Sequence, residues 1–409
     1  MTISRIVVAG GGVAAAAAVT ELREAGFAGV ITLVCAEERP PYERPPLSKE
    51  FLLDPAADAG AVQEPAWYRD NSVDLRCGVR ATGLDLAARR VALSDGSTAG
   101  YDRLLLATGV RPRVLPGIEG DGVCYLRTAR DAAGLRDRVH AAEHVAVLGG
   151  GFIGCEVAAA AVRLGKRVTI LEALPTLLYR VLGPELGEVV AGIHRDEGVD
   201  VRTGQTVTGV RRGRGIQVST ADGPVDCDVL VVGAGTVPNQ ELAEQAGLPA
   251  GDGIAVDEYF ATAAEDVYAI GDVAAQYLPG YGRRVRVEHH DTAVRHGRAV
   301  ARILLGQREP FADVHWFWSD QYEHSIQSAG LPGSPEPLII RGSPQQRSFS
   351  AFHLDGDRIG AVLSLNRPRD VLDVRRLIAR GHRATADQLR DESIPLKRLV
   401  TARPAATLT

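Results

Sequence analysis

Two glycine clusters carry the first chemistry legible in this chain of 409 residues. Gly10-Gly11-Gly12-Val13-Ala14-Ala15 follows the apolar run Ile6-Val7-Val8-Ala9, and Gly149-Gly150-Gly151-Phe152-Ile153-Gly154 follows Val145-Ala146-Val147-Leu148. Each reads as a parallel strand turning sharply into a helix. The first glycine permits the tight turn, the second lets the backbone approach a pyrophosphate, and the third lets the helix pack closely on the strand. Ala15 stands at the third position of the first copy. An acid follows the next strand each time, Glu37 after Val30–Val34 and Glu172 after Arg167–Leu171, suited to the hydroxyls of an adenosine ribose. Both acids lie somewhat more than the usual ~20 residues past their glycines. A glycine-rich turn without nucleotide is the competing reading of either copy alone. With strand, glycines, helix and acid present twice, the chain is expected to hold two dinucleotides.

The elements that must position these loops follow a nested order. A first unit starts near Thr2 and closes with Tyr101–Gly109. Proline and glycine then gather through Arg111-Pro112-Arg113-Val114-Leu115-Pro116-Gly117, which reads as a linker. A second unit ends in the buried strand and turn of Asp228–Asn239, after which Glu265–Asp272 returns as a short strand leading to Gly-Asp. A helix is expected from about Thr292 to Leu305, then a region of alternating strands with a helix near Asp370–Arg380. The expected class is α/β: two Rossmann-like dinucleotide-binding domains, the second inserted in the first, plus a C-terminal α+β domain. The boundaries are 1–113 with 240–317, then 114–239, then 318–409.

Composition is that of an ordinary globular protein, 45% hydrophobic and 24% charged, with a net charge of −5. Neither a nucleic acid nor a membrane is an expected partner, since there is no overall basic excess and no 18-residue apolar run. Ile6–Val19 could pass for the apolar part of a signal peptide, but only Arg5 precedes it, and the cytoplasm is expected. The five cysteines include no C-x-x-C or other close pair, so metal site, disulfide framework and redox dithiol are all unexpected. Charge is unevenly placed: Ile339–Thr409 holds 13 Arg+Lys against 7 Asp+Glu, leaving −11 for the rest. Such a basic end suits an acidic partner, or is a solvated surface.

With these segments in place, the chain resembles the FAD-dependent, NADH-oxidising ferredoxin reductases of bacterial oxygenase systems, over nearly its whole length. The specific motifs are Pro41–Lys49, Trp316–Gln321, Ala107-Thr108-Gly109, Gly149–Glu156, Gly235–Asn239 and Ala269–Asp272. The resemblance implies that Gly10, Gly12, Ala15 and Glu37 hold the FAD adenosine and pyrophosphate, with Arg44, Val79, Arg127 and the Ala107–Gly109 turn adding contacts. It places Asp272 at the ribitol, and NADH on Gly149, Gly151, Gly154, Glu172 and Gly235. Lys49 would lie beside the reactive flavin edge, paired with Glu156, while Glu288, His289, His290 and Trp318 surround the flavin–nicotinamide stack.

Lys49 has separate support: of 46 Lys+Arg only Lys49, Lys166 and Lys397 are lysine. A compact ammonium suits a flavin edge where negative charge grows on reduction; a surface lysine after a turn is the plain alternative. The competing reading of Glu156 is an acid of the helix's first turn, of Trp318 a core aromatic, and of Asp272 a solvated turn acid. Glu288-His289-His290 departs from the Glu-His-Trp common in these reductases and resembles the apoptosis-inducing-factor branch.

The implied activity is transfer of a hydride from NADH to FAD, then of single electrons to a [2Fe–2S] ferredoxin that serves a monooxygenase or Rieske dioxygenase. The ferredoxin would dock on the basic C-terminal region, where Arg367, Arg369 and Arg375 either flank the docking surface or are simply solvated, with the reductase a monomer or weak homodimer. Glu172 would repel a 2′-phosphate, and Ala173-Leu174-Pro175 offers no arginine to hold one, so NADH is expected over NADPH. Two alternatives stand beside this reading. One is a disulfide or peroxide reductase, for which Cys35 is the nearest thiol in sequence; the other is an NAD(H)-responsive redox sensor.

Overall fold

The computed structural model describes residues 3–213, 215–331 and 338–401, leaving out the expected start at Thr2 and the basic-tail residue Arg403. The chain divides into two compact units, Met1–Glu43 with Ala59–Arg111 and Thr236–Asp313, and Arg44–Asp58 with Pro112–Gly235 and Val314–Thr409.

In the first unit a five-stranded parallel sheet runs in the order Val267–Ala269, Arg103–Leu106, Arg5–Ala9, Val30–Cys35, Val73–Cys77. Its inner strands are apolar and buried on both faces, as parallel strands covered by helices must be. The Val13–Glu24 helix covers it, alongside the His290–Leu304 helix. Their contact depends on small residues: a Cβ on Gly297 would lie 2.3 Å from the Ala14 carbonyl oxygen. Smaller sheets complete this unit, among them the antiparallel meander Ala81–Asp85, Arg90–Leu93, Thr98–Gly100.

The second unit repeats the scheme. Its parallel sheet has the order Asp200–Arg202, Arg167–Leu171, His144–Leu148, Val229–Val232, Val123–Tyr125, with the Phe152–Arg163 helix following the central strand. A five-stranded antiparallel sheet follows, ordered Trp316–Gln321, His324–Gly330, Arg358–Leu365, Ser348–Asp355, Ile339–Ser343 and backed by the Pro368–Ala379 helix.

Two details differ from the sequence expectation. The C-terminal sheet is no separate compact body, because Tyr322, Ile326 and Phe349 share one core with Val147, Ala158 and Ile170. Residues 44–58, read as part of the first domain, pack with the second unit. There Leu52 is buried beside Leu135 and Val139, its carbonyl bonds His140 Nε2 at 3.0 Å, and Arg136 lies over the Phe51 ring. No helix among the described residues is long and apolar enough to cross a membrane.

Candidate dinucleotide sites and a buried carboxylate

The two glycine loops have the same construction. A Cβ on Gly10 would fall 2.0 Å from the Ala107 carbonyl oxygen, and one on Gly149 would fall 2.4 Å from that of Gly233. The first glycine of each loop is therefore demanded by a neighbouring backbone, and both have positive φ. At the second position the requirement differs. Gly12 and Gly151 have ordinary extended φ/ψ, and a Cβ on either would meet nothing within 4 Å. Protein packing leaves that space open, as close approach of a pyrophosphate requires.

The third position explains the one departure from the motif. A Cβ on Gly154 would strike the Gly149 carbonyl oxygen at 2.0 Å, whereas Ala15 is accommodated with no exposure at all. Each helix begins with no side-chain cap and no acid in its first turn. The free N–H groups and positive end of the helix dipole thus remain for an anion. Glu156 consequently does not belong to the first turn, and its reading as a dipole-stabilising acid falls.

The acids are held in place beside their loops. Tyr42 donates to Glu37 Oε2 at 2.6 Å. Glu172 accepts from Gly150 N at 2.6 Å and from Leu174 N at 2.8 Å, one oxygen for each, so it braces the loop it serves. A carboxylate retains lone pairs for ribose hydroxyls after such bonds.

Glu156 is the most enclosed carboxylate near either loop, only 4% exposed. Lys49 Nζ lies 2.9 Å from Oε2, which also accepts from the Ser48 hydroxyl. Ser319 donates to Oε1 at 2.6 Å, and Gln321 Nε2 donates to Ser319 Oγ at 3.2 Å. Gln321 Oε1 lies 3.1 Å from His194 Nε2, while Tyr322 OH lies 2.9 Å from His194 Nδ1. The amide oxygen can only accept, so His194 carries its proton on Nε2 and Tyr322 donates to Nδ1. Every donor in this chain points toward Glu156. Burial lowers His194 to about 4, which keeps the ring neutral. A buried pair of charges is tolerable only when the remaining lone pairs are satisfied. Here two hydroxyls and an ammonium do so.

A model of the pyridine nucleotide-disulphide oxidoreductases matches residues 4–297, and one of the reductase C-terminal region matches 316–400. The chain belongs to the pyridine nucleotide-disulphide oxidoreductase family. Rhodocoxin reductase of Rhodococcus erythropolis is 41% identical, covering 96% of this chain and 93% of its own. The ferredoxin–NAD(+) reductase component of the anthranilate 1,2-dioxygenase system of Burkholderia cepacia is 40% identical, with 97% and 99% covered. The covalent putidaredoxin reductase–putidaredoxin complex is similar in structure, with a TM-score of 0.94 and 36% identity over 97% of this chain and 98% of that one.

In this oxidoreductase the other expected site residues divide between the units. Within the first, Ala107 N bonds the Ala9 carbonyl at 2.8 Å, and Val79 N bonds that of Cys35 at 3.1 Å, which sets Val79 beside the strand that leads to Glu37. Thr108 Oγ1 donates to the Asn239 carbonyl at 2.6 Å, Asn239 Nδ2 returns a bond to the Thr108 carbonyl at 2.8 Å, and the Gly109 carbonyl accepts from Asn239 N at 2.9 Å. Asp272 follows Gly271, whose missing Cβ would touch Ala14 Cβ at 3.0 Å, so the fingerprint helix fixes the turn that carries Asp272. Glu288 accepts from Thr236 at 2.5 Å and from Arg286 at 2.6 Å. Burial lowers His289 to about 4, and His290 Nε2 lies 2.5 Å from Glu43.

Arg44, Lys49, Arg127 and Trp318 belong to the second unit, as does Gly235. Arg44 donates to the Arg127 carbonyl at 2.6 Å, and the Trp318 ring stacks on Trp316 with centroids 5.0 Å apart. The Lys49–Glu156 pair therefore lies inside one compact unit instead of joining two. The sequence reading missed Ser48, Ser319, Gln321, His194 and Tyr322. The signal available was the alternation of strand 316–321, which puts Phe317 and Ser319 on one face and the tryptophans on the other. Cys35 and Cys77, far apart in sequence, are register partners on adjacent strands, and all five cysteines are free.

Proposed function

We propose that this chain is an FAD-dependent, NADH-oxidising ferredoxin reductase, the first glycine loop holding FAD and the second NADH. The observation that carries the proposal is the pair of loops whose second glycines face space left open by protein packing, in a chain similar end to end to reductases of oxygenase systems. FAD, when bound, accepts a hydride from NADH and releases the electrons singly to the ferredoxin. The chain's own work is binding, orientation and charge. Gly10, Gly12 and Ala15 set the FAD pyrophosphate on the Val13–Glu24 helix, Glu37 takes the adenosine ribose, and Asp272 the ribitol. Gly149, Gly151 and Gly154 do the same for NADH, with Glu172 on its adenosine ribose, where a 2′-phosphate would be repelled. Lys49 supplies the ammonium for the reactive flavin edge, and Glu156, with its hydroxyl donors, keeps that ammonium in one place.

The ferredoxin is taken to be of the [2Fe–2S] type, and the reductase a cytoplasmic monomer or weak dimer. Anaerobic stopped-flow mixing with NADH, then with a [2Fe–2S] ferredoxin, tests the reading. Rapid bleaching followed by rapid recovery on ferredoxin supports it; a reduced state that ferredoxin cannot discharge favours the sensor, and absence of bound flavin sinks it. The disulfide-reductase alternative needs a thiol at the flavin ring. Cys35 and Cys77 instead sit at the strand ends next to Glu37 and Val79, the expected adenosine end.

A further inference from the structure

The edge of the first unit's sheet carries chemistry that the reductase reaction does not use. Cys35 ends the second strand of the chain and Cys77 ends the strand paired with it in parallel. Neighbouring strands lie about 4.8 Å apart, inside the roughly 4.4–6.8 Å between Cα atoms that a disulfide spans. As register partners, the two side chains leave the sheet on the same face. Cys35 is 1% exposed, while Cys77 is half-buried.

The position of Cys35 matters to the glycine loop. A Cβ on Gly11 would lie 2.7 Å from Cys35 Sγ, so this sulfur fills the space beneath the loop. The same strand ends carry the expected adenosine contacts. Glu37 bonds Gly78 N through its carbonyl at 2.8 Å, and the Cys35 carbonyl bonds Val79 N at 3.1 Å.

We propose that Cys35 and Cys77 form a peroxide-oxidisable thiol pair, and that their disulfide loosens FAD by withdrawing the sulfur on which the first glycine loop rests. The second half of this statement rests on the reading of that loop as the FAD site. The neighbouring Cys35 thiol favours the Cys77 thiolate and lowers its pKa, whereas Cys77 and burial raise Cys35; Glu37 and the buried Tyr68 are the other titratable groups that face the pair. Cys77 is thereby the attacking sulfur. Its thiolate attacks hydrogen peroxide, the O–O bond breaks, hydroxide leaves, and Cys77 becomes a sulfenic acid. Cys35 then attacks that sulfur, the S–S bond forms, the S–O bond breaks, and the departing hydroxyl takes the Cys35 proton as water. Two thiols and one peroxide give one disulfide and two waters. Closure draws the sulfurs to about 2.05 Å, and Cys35 Sγ moves away from Gly11.

The test exposes the holoprotein to hydrogen peroxide, alkylates it under denaturing conditions with N-ethylmaleimide, and maps the peptides by mass spectrometry. The expected result is loss of two of the five free thiols as a 35–77 cross-link reversed by dithiothreitol. A several-fold faster release of FAD, read as returning free-flavin fluorescence, should accompany it. Cys77→Ser should abolish both effects, and Cys35→Ser should leave Cys77 trapped as a sulfenic acid that dimedone captures. Full alkylation of both thiols after peroxide overturns the proposal, as does a cross-link with no change in FAD release, or peroxide-driven release that persists in Cys77→Ser. Protein that carries no flavin before peroxide is added would refute the proposed function instead, since cross-link mapping needs no cofactor.

Discussion

At the residue scale, Glu156 is held at a cost that its neighbours must meet. Removing Lys49 alone strands a carboxylate that is 4% exposed, and such uncompensated charge costs about 3–5 kcal/mol. Lys49→Met and Glu156→Leu should each lower the denaturant midpoint. The double variant should recover most of the stability while NADH-driven flavin reduction stays slow; additive losses in the double-mutant cycle would show that the two side chains do not interact. Ser319→Ala withdraws one donor from the carboxylate and should cost about 1–3 kcal/mol, with slower flavin reduction and unchanged FAD content. His194 adds a pH dependence. Its folded value of about 4 lies below the ordinary ~6.5, so its neutral form stabilises the fold fully above pH 6.5 and that stability drains away as pH falls toward 4. The gap is worth about 3 kcal/mol. A His194→Gln variant should show a flatter decline of unfolding midpoint across this window, and an equally steep one would refute the assignment.

At the element scale, each glycine loop separates folding from binding. Gly12→Ala and Gly151→Ala place a methyl where protein packing leaves open space, at φ/ψ that alanine adopts freely. Both variants should melt like the flavin-free parent when stripped of flavin; the first should lose FAD and the second raise KM for NADH, read by bound-flavin absorbance and steady-state rates. Gly154→Ala drives a methyl to 2.0 Å from the Gly149 carbonyl and should cost stability as well as NADH binding. A Gly151→Ala variant with unaltered KM would show that the second loop does not serve NADH. These loops were legible from sequence because a tight turn beside a phosphate needs glycine at fixed spacing. The environment of Glu156 was not. Ser48, His194 and the Ser319–Gln321 strand come from three distant stretches of chain, and nothing in their spacing marks hydroxyls and amides for a partner that far away. The Cys35–Cys77 pair was hidden likewise, because strand register, not spacing along the chain, brings register partners together.

At the scale of the whole molecule, the basic C-terminal region looks different once its partners are known. Arg341 is buried and donates to the carbonyls of Leu389, Asp391 and Ile394, so it holds the 389–394 segment in place. Arg367 lies between Asp370 and Glu392, and Arg347 pairs with Asp196. Arg341, Arg347 and Arg367 are engaged in this way, whereas most of the other described basic residues of this region, Arg369 among them, are exposed. Ferredoxin reduction should therefore slow as salt rises. Arg369→Glu should lower kcat/KM for ferredoxin with no change for NADH, and Arg341→Ala should lower the melting temperature; a strong salt dependence that survives Arg369→Glu would place the docking surface elsewhere.

The scarcity of lysine has a practical side. An acylating reagent meets three ε-amines: Lys397 is exposed, Lys166 donates to the His140 carbonyl at 2.7 Å, and Lys49 is 15% exposed against Glu156. The label taken up by Lys49 is then a one-residue clock of how often its ion pair opens, and any ligand that tightens the site slows that clock without a chromophore having to change.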